Sequence, residues 1–416
     1  MAYAPRIVDA ELGKRLAASG AVVIEGPKAC GKTATARQYA ASEVLLDTDR
    51  TARDAITVDP SLVLDGSTPR LVDEWQIEPD LWNHVRRAVD DRGQPAQFVL
   101  TGSAVPADDT TRHTGAGRFS RVRMRPMTLD ELGAGTAAVP LRGLLAGESV
   151  RSTDPGLQLD DLIELVVRGG WPGFRDLDVH DACRAVRDYL DQVRRTDLPR
   201  FDGVRRDPTR VGRVLQSLAR HTSTSASMQT IVRDTAGPDA AAVDRDTVRS
   251  YLDALERLMI VEDVPAFRPH LRSSHALRHA ATRHFVDPSL AVAALGASPV
   301  SLRGDLRTFG LLFESLVIRD LRVYAQALDA DLWHYRDESD LEVDAIVTAH
   351  DGAWAAIEIK LGPGQVDTAA ASLLRFADRV DTERLGPPVL VVVTGTGYGY
   401  VRPDGVRVVP VGALAP

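Results

Sequence analysis

Residues 26–33, Gly-Pro-Lys-Ala-Cys-Gly-Lys-Thr, constrain this chain more than any other stretch. They form a complete G-x-x-x-x-G-K-T run. The short apolar segment Ala21-Val22-Val23-Ile24-Glu25 precedes it, and good helix formers follow over 34–40. A strand, a glycine-rich turn and a helix start, in that order, bring backbone N–H groups to one point, and the helix dipole adds to their attraction for an anion. An ordinary glycine turn explains the two glycines but not the Lys-Thr pair after the second. Phosphate binding explains both. Gly26, Pro27, Lys28, Ala29, Cys30 and Gly31 supply the cradle, Lys32 reaches the β/γ-phosphates, and the Thr33 hydroxyl takes Mg²⁺. ATP and Mg²⁺ are the expected ligands. Cys30, between two lysines, is either a thiol activated by them and by the helix N-terminus or a small inert residue in a tight loop.

The segments after the loop alternate between strand and helix patterns, so the class is α/β. Residues 44–47 read as a strand. Residues 69–76, Pro-Arg-Leu-Val-Asp-Glu-Trp-Gln, read as another that ends in two carboxylates. Most Asp-Glu pairs are solvated surface. At a strand end about forty residues after a phosphate loop, Asp73 fits the Mg²⁺ shell and Glu74 the orientation of an attacking water. Residues 97–103 form the next strand, and Thr101 or Ser103 at its end is placed to sense the γ-phosphate or the water; a polar turn is the bland alternative. Residues 104–117 read as a linker rich in Asp, Thr and Gly. Alternation over 119–125 predicts an edge strand. Arg118 at its start is a candidate arginine finger, acting in cis or from a neighbouring subunit of a homo-oligomer, with a plain surface arginine as the alternative.

Composition narrows the function classes. Net charge is −8 over 416 residues, so any nucleic-acid surface is local. Two cysteines exclude a disulfide framework and fit a reducing cytosol. The start of the chain lacks a basic-then-apolar leader pattern, and no apolar run nears membrane-spanning length. A cytoplasmic protein with no membrane partner is expected. Of 50 basic residues only four are lysines, Lys14, Lys28, Lys32 and Lys360. Codon bias explains the preference for arginine. A guanidinium cannot replace a compact ammonium where the chemistry needs a point charge, so the surviving lysines are positions to inspect.

The middle of the chain is helical by periodicity, with amphipathic stretches at 157–168 and 181–198 around a Gly-Gly-Trp-Pro-Gly turn. Arginines between 194 and 220 are diluted by Asp197, Asp202 and Asp207, which makes a mixed face. Helical patterns at 222–233 and 247–259, then a strand at 260–264, predict a helix-turn-helix with a wing. The segment 267–285, with Arg268, His270, Arg272, His275, Arg278, His279, Arg283 and His284, is a candidate phosphate-binding wing; a plain domain connector is the alternative.

Residues 300–416 read as a separate α/β unit. Glu314 interrupts an apolar helix at 309–317. Strands follow at 332–335, 341–348 and 354–361, the last two joined by a hairpin at 350–353. Glu358 and Lys360 are two apart on one strand and share a face, with Asp344 brought near by the hairpin. Carboxylates that hold Mg²⁺ beside a lysine suit phosphodiester hydrolysis: the metal acidifies water and the lysine positions or deprotonates the nucleophile. Glu314, Asp344 and Glu358 are the candidate metal ligands, and Gln365 is a candidate neighbour. A strand pair with surface charges is the alternative.

Several motifs carry resemblances. The phosphate loop, Leu-Val-Asp-Glu-Trp-Gln, Leu-Thr-Gly-Ser and Pro-Met-Thr-Leu-Asp-Glu-Leu, together with Gly-Gly-Trp-Pro and Thr196-Asp197-Leu198, resemble a bacterial AAA-type ATPase family whose C-terminal region is a domain of unknown function. The order Glu314, Asp344, Glu358-x-Lys360 resembles the restriction-endonuclease-type fold. These resemblances imply a P-loop AAA-type ATPase core (1–135), a helical lid (136–205), a winged-helix segment (206–295) and a restriction-endonuclease-like α/β domain (296–416). The expected function is an ATP-hydrolysing protein of DNA metabolism, with DNA as partner. The alternative is a nucleotide-dependent regulatory or scaffold protein whose C-terminal domain binds a partner without catalysis.

Overall fold

The apolar run 21–24 is an interior strand of a five-stranded parallel sheet in the computed structural model. The structure describes residues 3–103, 114–199, 204, 206–237, 240–267, 280–339 and 341–416. The chain divides into two compact units: residues 1–126 with 198–204 and 254–260, and residues 127–197 with 205–253 and 261–416.

In the first unit α1 (Ile7–Ala18) leads into β1 (Ala21–Glu25), and the glycine-rich loop leads into α2 (Lys32–Ala36). There follow β2 (Ser42–Leu45), α3 (Arg50–Val58), β3 (Arg70–Asp73), α4 (Leu81–Arg92), β4 (Phe98–Gly102) and β5 (Phe119–Arg123). The order across the sheet is β2-β3-β4-β1-β5, and every pairing is parallel. Parallel sheets are covered on both faces, so their strands are apolar throughout. Accordingly Val22, Val23, Ile24, Leu71, Val72, Val99 and Leu100 are all fully buried. Successive side chains still point to opposite faces. Ala21 and Val23 pack with Leu100, Trp75, Trp82 and Val85 on one side. Val22 and Ile24 pack with Leu12, Leu16, Cys30 and Met124 on the other. Each fully buried aliphatic side chain contributes about 1.5–3 kcal/mol, so the loop at the end of β1 leaves from a rigid platform. β5 lies at the edge, as its alternation predicts, with Phe119 stacked on Trp82 at a centroid distance of 4.1 Å. The carboxyl ends of β1, β3 and β4 share one side of the sheet, and the connection leaving β1 runs across it in the direction opposite to those leaving β2, β3 and β4. That is the place where open parallel sheets bind ligands.

Beyond residue 127 the chain is first helical: α5 (Leu159–Arg168), α6 (Val179–Gln192), α7 (Pro208–Arg220), α8 (Met228–Asp234), α9 (Arg245–Arg257), α10 (Pro288–Leu295) and α11 (Leu306–Ala327). α5 buries Leu162, Ile163, Val166 and Val167 on one stripe. α10 has no polar face, and its first five residues are buried. The strand expected at 260–264 does not form. Val261 and Val264 make only single bridges, to Phe285 and Thr282, while the Asp263 side chain between them turns to Arg283.

A second sheet closes the chain. β6 (Ala330–Arg336), β7 (Glu342–Ala349) and β8 (Trp354–Lys360) form an antiparallel meander. α12 (Val366–Ala377) then crosses over to β9 (Val389–Thr394), which lies parallel to β8. β10 (Tyr400–Val401) and β11 (Arg407–Pro410) complete the order β10-β11-β9-β8-β7-β6. The hairpin expected at 350–353 is present: Ala345 pairs with Ile357 and Thr348 with Trp354. This register sets Asp344 opposite Glu358.

Candidate functional site

The loop 26–33 opens into a cleft of about 700 Å³ lined by Lys28, Lys32, Thr33, Glu74, Gln76 and Ser103, among others. Two glycines shape it. Gly31 has φ 105°, a left-handed conformation in which a side chain is strained, and it directly precedes α2. Gly26 passes so close to its neighbours that a Cβ would lie 2.3 Å from the Met124 carbonyl oxygen and 2.9 Å from Cys30 Sγ. Lys32 Nζ donates to the Gly26 and Pro27 carbonyls, each at 2.9 Å, which lays its stem along the loop.

The strand ends meet at this cleft. Thr33 Oγ1 donates to Asp73 Oδ1 at 2.8 Å, and Thr101 Oγ1 donates to the same oxygen. Asp73 is only 6% exposed. Glu74 has φ 53°, the left-handed region, which turns its side chain out of the strand path toward the cleft. Its Oε2 accepts from Ser103 Oγ at 3.2 Å and from Gln76 Nε2. The two hydroxyls expected to sense phosphate or water therefore hold the two carboxylates. The sequence reading missed Gln76 as a site residue, although it lies two positions past Glu74. It also missed Arg37 and Asp47, which line the cleft and belong to no motif.

Three expectations are corrected. Arg118 lies at the wrong end of the sheet for a cis finger. Its neighbour Phe119 pairs with Ala21 at the start of β1, whereas the cradle leaves from the end of that strand. The offset is at least about 13 Å at the rise of a β-strand. Arg118 instead donates to Asp90 Oδ1 at 2.8 Å and holds that carboxyl below its usual range. Cys30 is fully buried with its sulfur turned from the cleft into the apolar cluster under β1, so the activated-thiol reading fails. In the expected phosphate-binding wing, Arg283 pairs with Asp263, and His284 is 3% exposed with Nδ1 3.2 Å from Ser315 Oγ. Both are spent on internal contacts. The other members, Arg268, His270, Arg272, His275, Arg278 and His279, lie outside the described residues.

In the second unit, Lys360 Nζ lies 3.1 Å from Asp344 Oδ2 and 2.5 Å from Glu358 Oε2. The Ile359 amide donates to Asp344 Oδ2 at 2.7 Å. Burial, then Asp344, push the Glu358 carboxyl up to about 8, and the same two causes hold Glu314 well above its ordinary value. Burial works against the charge on Lys360, but Asp344 and Glu358 outweigh it and raise its pKa. The four residues thus sense one another electrostatically, yet the three-carboxylate metal set is not formed. Among the described residues no three His, Cys, Asp or Glu side chains converge where a metal ion would sit. Asp344 and Glu358 close on the partly exposed Lys360 ammonium instead, the nearest charge that can balance them. Among the described residues no helix is long and apolar enough to cross a membrane.

Comparison with known proteins bears on these sites. Residues 18–133 match the AAA domain family. Residues 159–301 and 309–414 match two domains of unknown function, DUF8612 and DUF4143. Uncharacterized proteins of Mycobacterium bovis and Mycobacterium tuberculosis are each 25% identical to this chain over 347 residues, 82% of it and 70% of theirs. The structure of the Aeropyrum pernix ORC2 protein (ADPNP-ADP complexes) aligns over 70% of this chain and 93% of its own. Its identity is 13% and its TM-score 0.30, too low to bear on the fold. The AAA-domain match, joined to a G-x-x-x-x-G-K-T loop facing Asp73 and Glu74, supports a P-loop ATPase of the AAA type in the first part of the chain.

Proposed function

We propose that the chain hydrolyses ATP in its first unit and couples that turnover to work on DNA. The observation that carries the reading is the meeting of Lys32, Thr33, Asp73 and Glu74 around one cleft. Lys32 binds the outer phosphates, Glu74 orients the attacking water, and Thr101 holds Asp73 in place. Thr33 and Asp73 present hard oxygens 2.8 Å apart, a pairing that suits Mg²⁺. When bound, that ion neutralises charge gathering on the phosphates.

The DNA part rests on the second unit. Helix, three-stranded meander, crossover helix and parallel strand, with Glu314, Asp344, Glu358 and Lys360 grouped on them, support a restriction-endonuclease-like domain over 296–416. The helical segments before it support a lid (136–205) and a winged helix (206–295). Asp344 and Glu358 are the oxygens a divalent cation would use there, in competition with the Lys360 ammonium 3.1 and 2.5 Å from them. One observation favours a second reading, a domain that grips a partner without cutting: Lys360 already closes the carboxylate pair.

An ATPase assay with a panel of DNA structures, run with Mg²⁺ or Mn²⁺ while cleavage is scored, tests both parts. Lys32→Ala should abolish turnover. Glu74→Gln should bind ATP but turn over at least about 100-fold more slowly. Asp344→Ala and Lys360→Ala should abolish cleavage and leave ATP turnover near wild type. Normal turnover in Lys32→Ala and Glu74→Gln would refute the ATPase assignment. Wild-type protein that cuts no DNA, but binds it less well once Lys360 is replaced, would establish the grip. DNA that neither changes turnover nor binds would remove the DNA reading.

A further inference from the structure

Gln76 follows Glu74 by two residues, on the 3-10 turn Trp75–Ile77. Its Nε2 donates to Glu74 Oε2 and lies 3.4 Å from Ser103 Oγ, which itself donates to that Glu74 oxygen at 3.2 Å. One carboxylate oxygen is thus held by two donors, which fixes the plane of the other. The far end of the amide behaves differently: Gln76 Oε1 is buried and has no hydrogen-bond partner. That oxygen is enclosed beside Gly102, where water in the cleft does not reach it, so the amide acts on the site through Nε2. Two features hold the amide in this pose. The turn is anchored by Trp75, buried against Trp82 at a centroid distance of 5.0 Å. The neighbouring strand offers Gly102, where a Cβ would lie 2.8 Å from Gln76 Oε1 and 3.1 Å from Trp75 Nε1.

We propose that Gln76 is a positioning residue for the hydrolytic water, an inference that rests on the ATP-hydrolysis reading. Nε2 fixes Glu74, and the free Glu74 oxygen accepts an O–H of the water. With that acceptor held at a set angle, a lone pair of the water is aimed toward the γ-phosphorus. In the step, the water oxygen bonds to that phosphorus as the bond to the β–γ bridging oxygen breaks, and ADP leaves with the electron pair. One water proton passes by way of Glu74 to solvent; the other stays on inorganic phosphate.

The test uses the full chain: wild type, Lys32→Ala, Glu74→Gln, Gln76→Ala, Gln76→Glu and Gly102→Ala. Steady-state turnover and KM are measured, with binding of a fluorescent ATP analogue and of ADP with aluminium fluoride, which mimics the transition state. Gln76→Ala should lower kcat about 10–100-fold, the value of a hydrogen bond to a charged group. ATP binding should stay within about 2-fold while aluminium-fluoride binding weakens in step with kcat, because Glu74 and the water it aligns act on the transition state and not on ATP binding. Gln76→Glu keeps the size but replaces the donor, and should not rescue. Gly102→Ala, which leaves Gln76 in the chain but crowds Oε1, should show the same split. If wild type hydrolyses ATP and Glu74→Gln does not, yet Gln76→Ala turns over within about 2-fold of wild type, the inference on Gln76 fails alone. Equal loss of ATP binding and kcat would make Gln76 a structural residue and overturn it too. Absence of wild-type turnover, or turnover unaffected by Lys32→Ala, removes the hydrolysis reading and this inference with it.

Discussion

Cys30 stands between residues of a basic loop, but its sulfur is packed with Val22, Ile24 and Leu12, with Sγ 3.9 Å from the Met124 carbonyl. Thiol chemistry needs a thiolate that solvent and reagent can reach. A fully buried sulfur under β1 meets neither condition, whatever charges flank it in sequence. The same close packing explains why Gly26 has no side chain, since its Cβ would strike both Met124 and Cys30. The other cysteine, Cys183, is 7% exposed. A maleimide or iodoacetamide should therefore label neither cysteine in the native protein, with or without ATP, and both once denaturant is added. Mass spectrometry of labelled peptides reads the outcome. Rapid native labelling of Cys30 that ATP suppresses would return the activated-thiol reading.

At the scale of an element, α11 carries more than its share. Its 22 residues span about 33 Å. Glu314 lies in one part and Arg319 and Asp320 in the next turns. Arg319 is 1% exposed, with Nη1 2.9 Å from Asp287 Oδ2 and Nη2 2.7 Å from Asp320 Oδ1. The remaining valences are used as well. The Leu129 amide donates to Asp320 at 3.0 Å, the Gly170 amide to Asp287 at 2.9 Å, and Trp171 Nε1 to Ser289 at 3.0 Å. Three segments far apart in sequence are thus pinned to one helix. Burial pushes the Asp320 carboxyl up to about 6 even with Arg319 opposing it. Arg319→Met would leave two buried carboxylates without their cation, and removing one partner of a buried ion pair costs about 3–5 kcal/mol. A urea titration should show that loss, and Arg303→Met should change little, because its pair with Asp160 is solvent-exposed. An Arg319→Met protein as stable as wild type would mean the cluster contributes only specificity.

For the whole molecule, stability against pH is a sum of opposing parts. Carboxyls raised by burial, such as Asp320 and Glu358, favour the folded state less as pH rises through their shifted values. His284 acts with the opposite sign. Burial first, then Arg322 and His334 against Glu262, hold it well below 6.5 in the folded state. Below pH 6.5 the unfolded chain binds a proton at this position that the folded chain refuses. The His284 contribution is therefore full above 6.5 and is lost as pH falls below it. The comparison that isolates it is the melting-temperature gap between wild type and His284→Gln. The gap should narrow between pH 8 and pH 5.5, as expected for a neutral buried imidazole. A gap that stays constant would show that His284 does not resist protonation.

The sequence alone determined what depends on neighbouring residues. The glycine-rich loop follows a five-residue strand that is apolar but for its last residue and precedes a helix, because spacing and backbone preference act locally. The carboxylates 73 and 74 end a buried strand, and the hairpin that sets Asp344 opposite Glu358 follows from alternation around a short turn. Tertiary structure alone decided which end and which face each residue occupies. Arg118 follows a motif-rich segment but sits at the amino end of the sheet, a fact written in the β1–β5 register. The lysine two residues past Glu358 fits a catalytic pattern, but its closure on both carboxylates depends on how deeply the strands are buried. Gln76 meets Ser103 only because β3 and β4 pair in parallel, and Arg319 meets Asp287 only where α10 and α11 pack. Local periodicity fixes which residues are apolar together. The long-range burial of those residues, worth far more than any single polar contact, chooses the sheet order, and the polar groups are then placed by it.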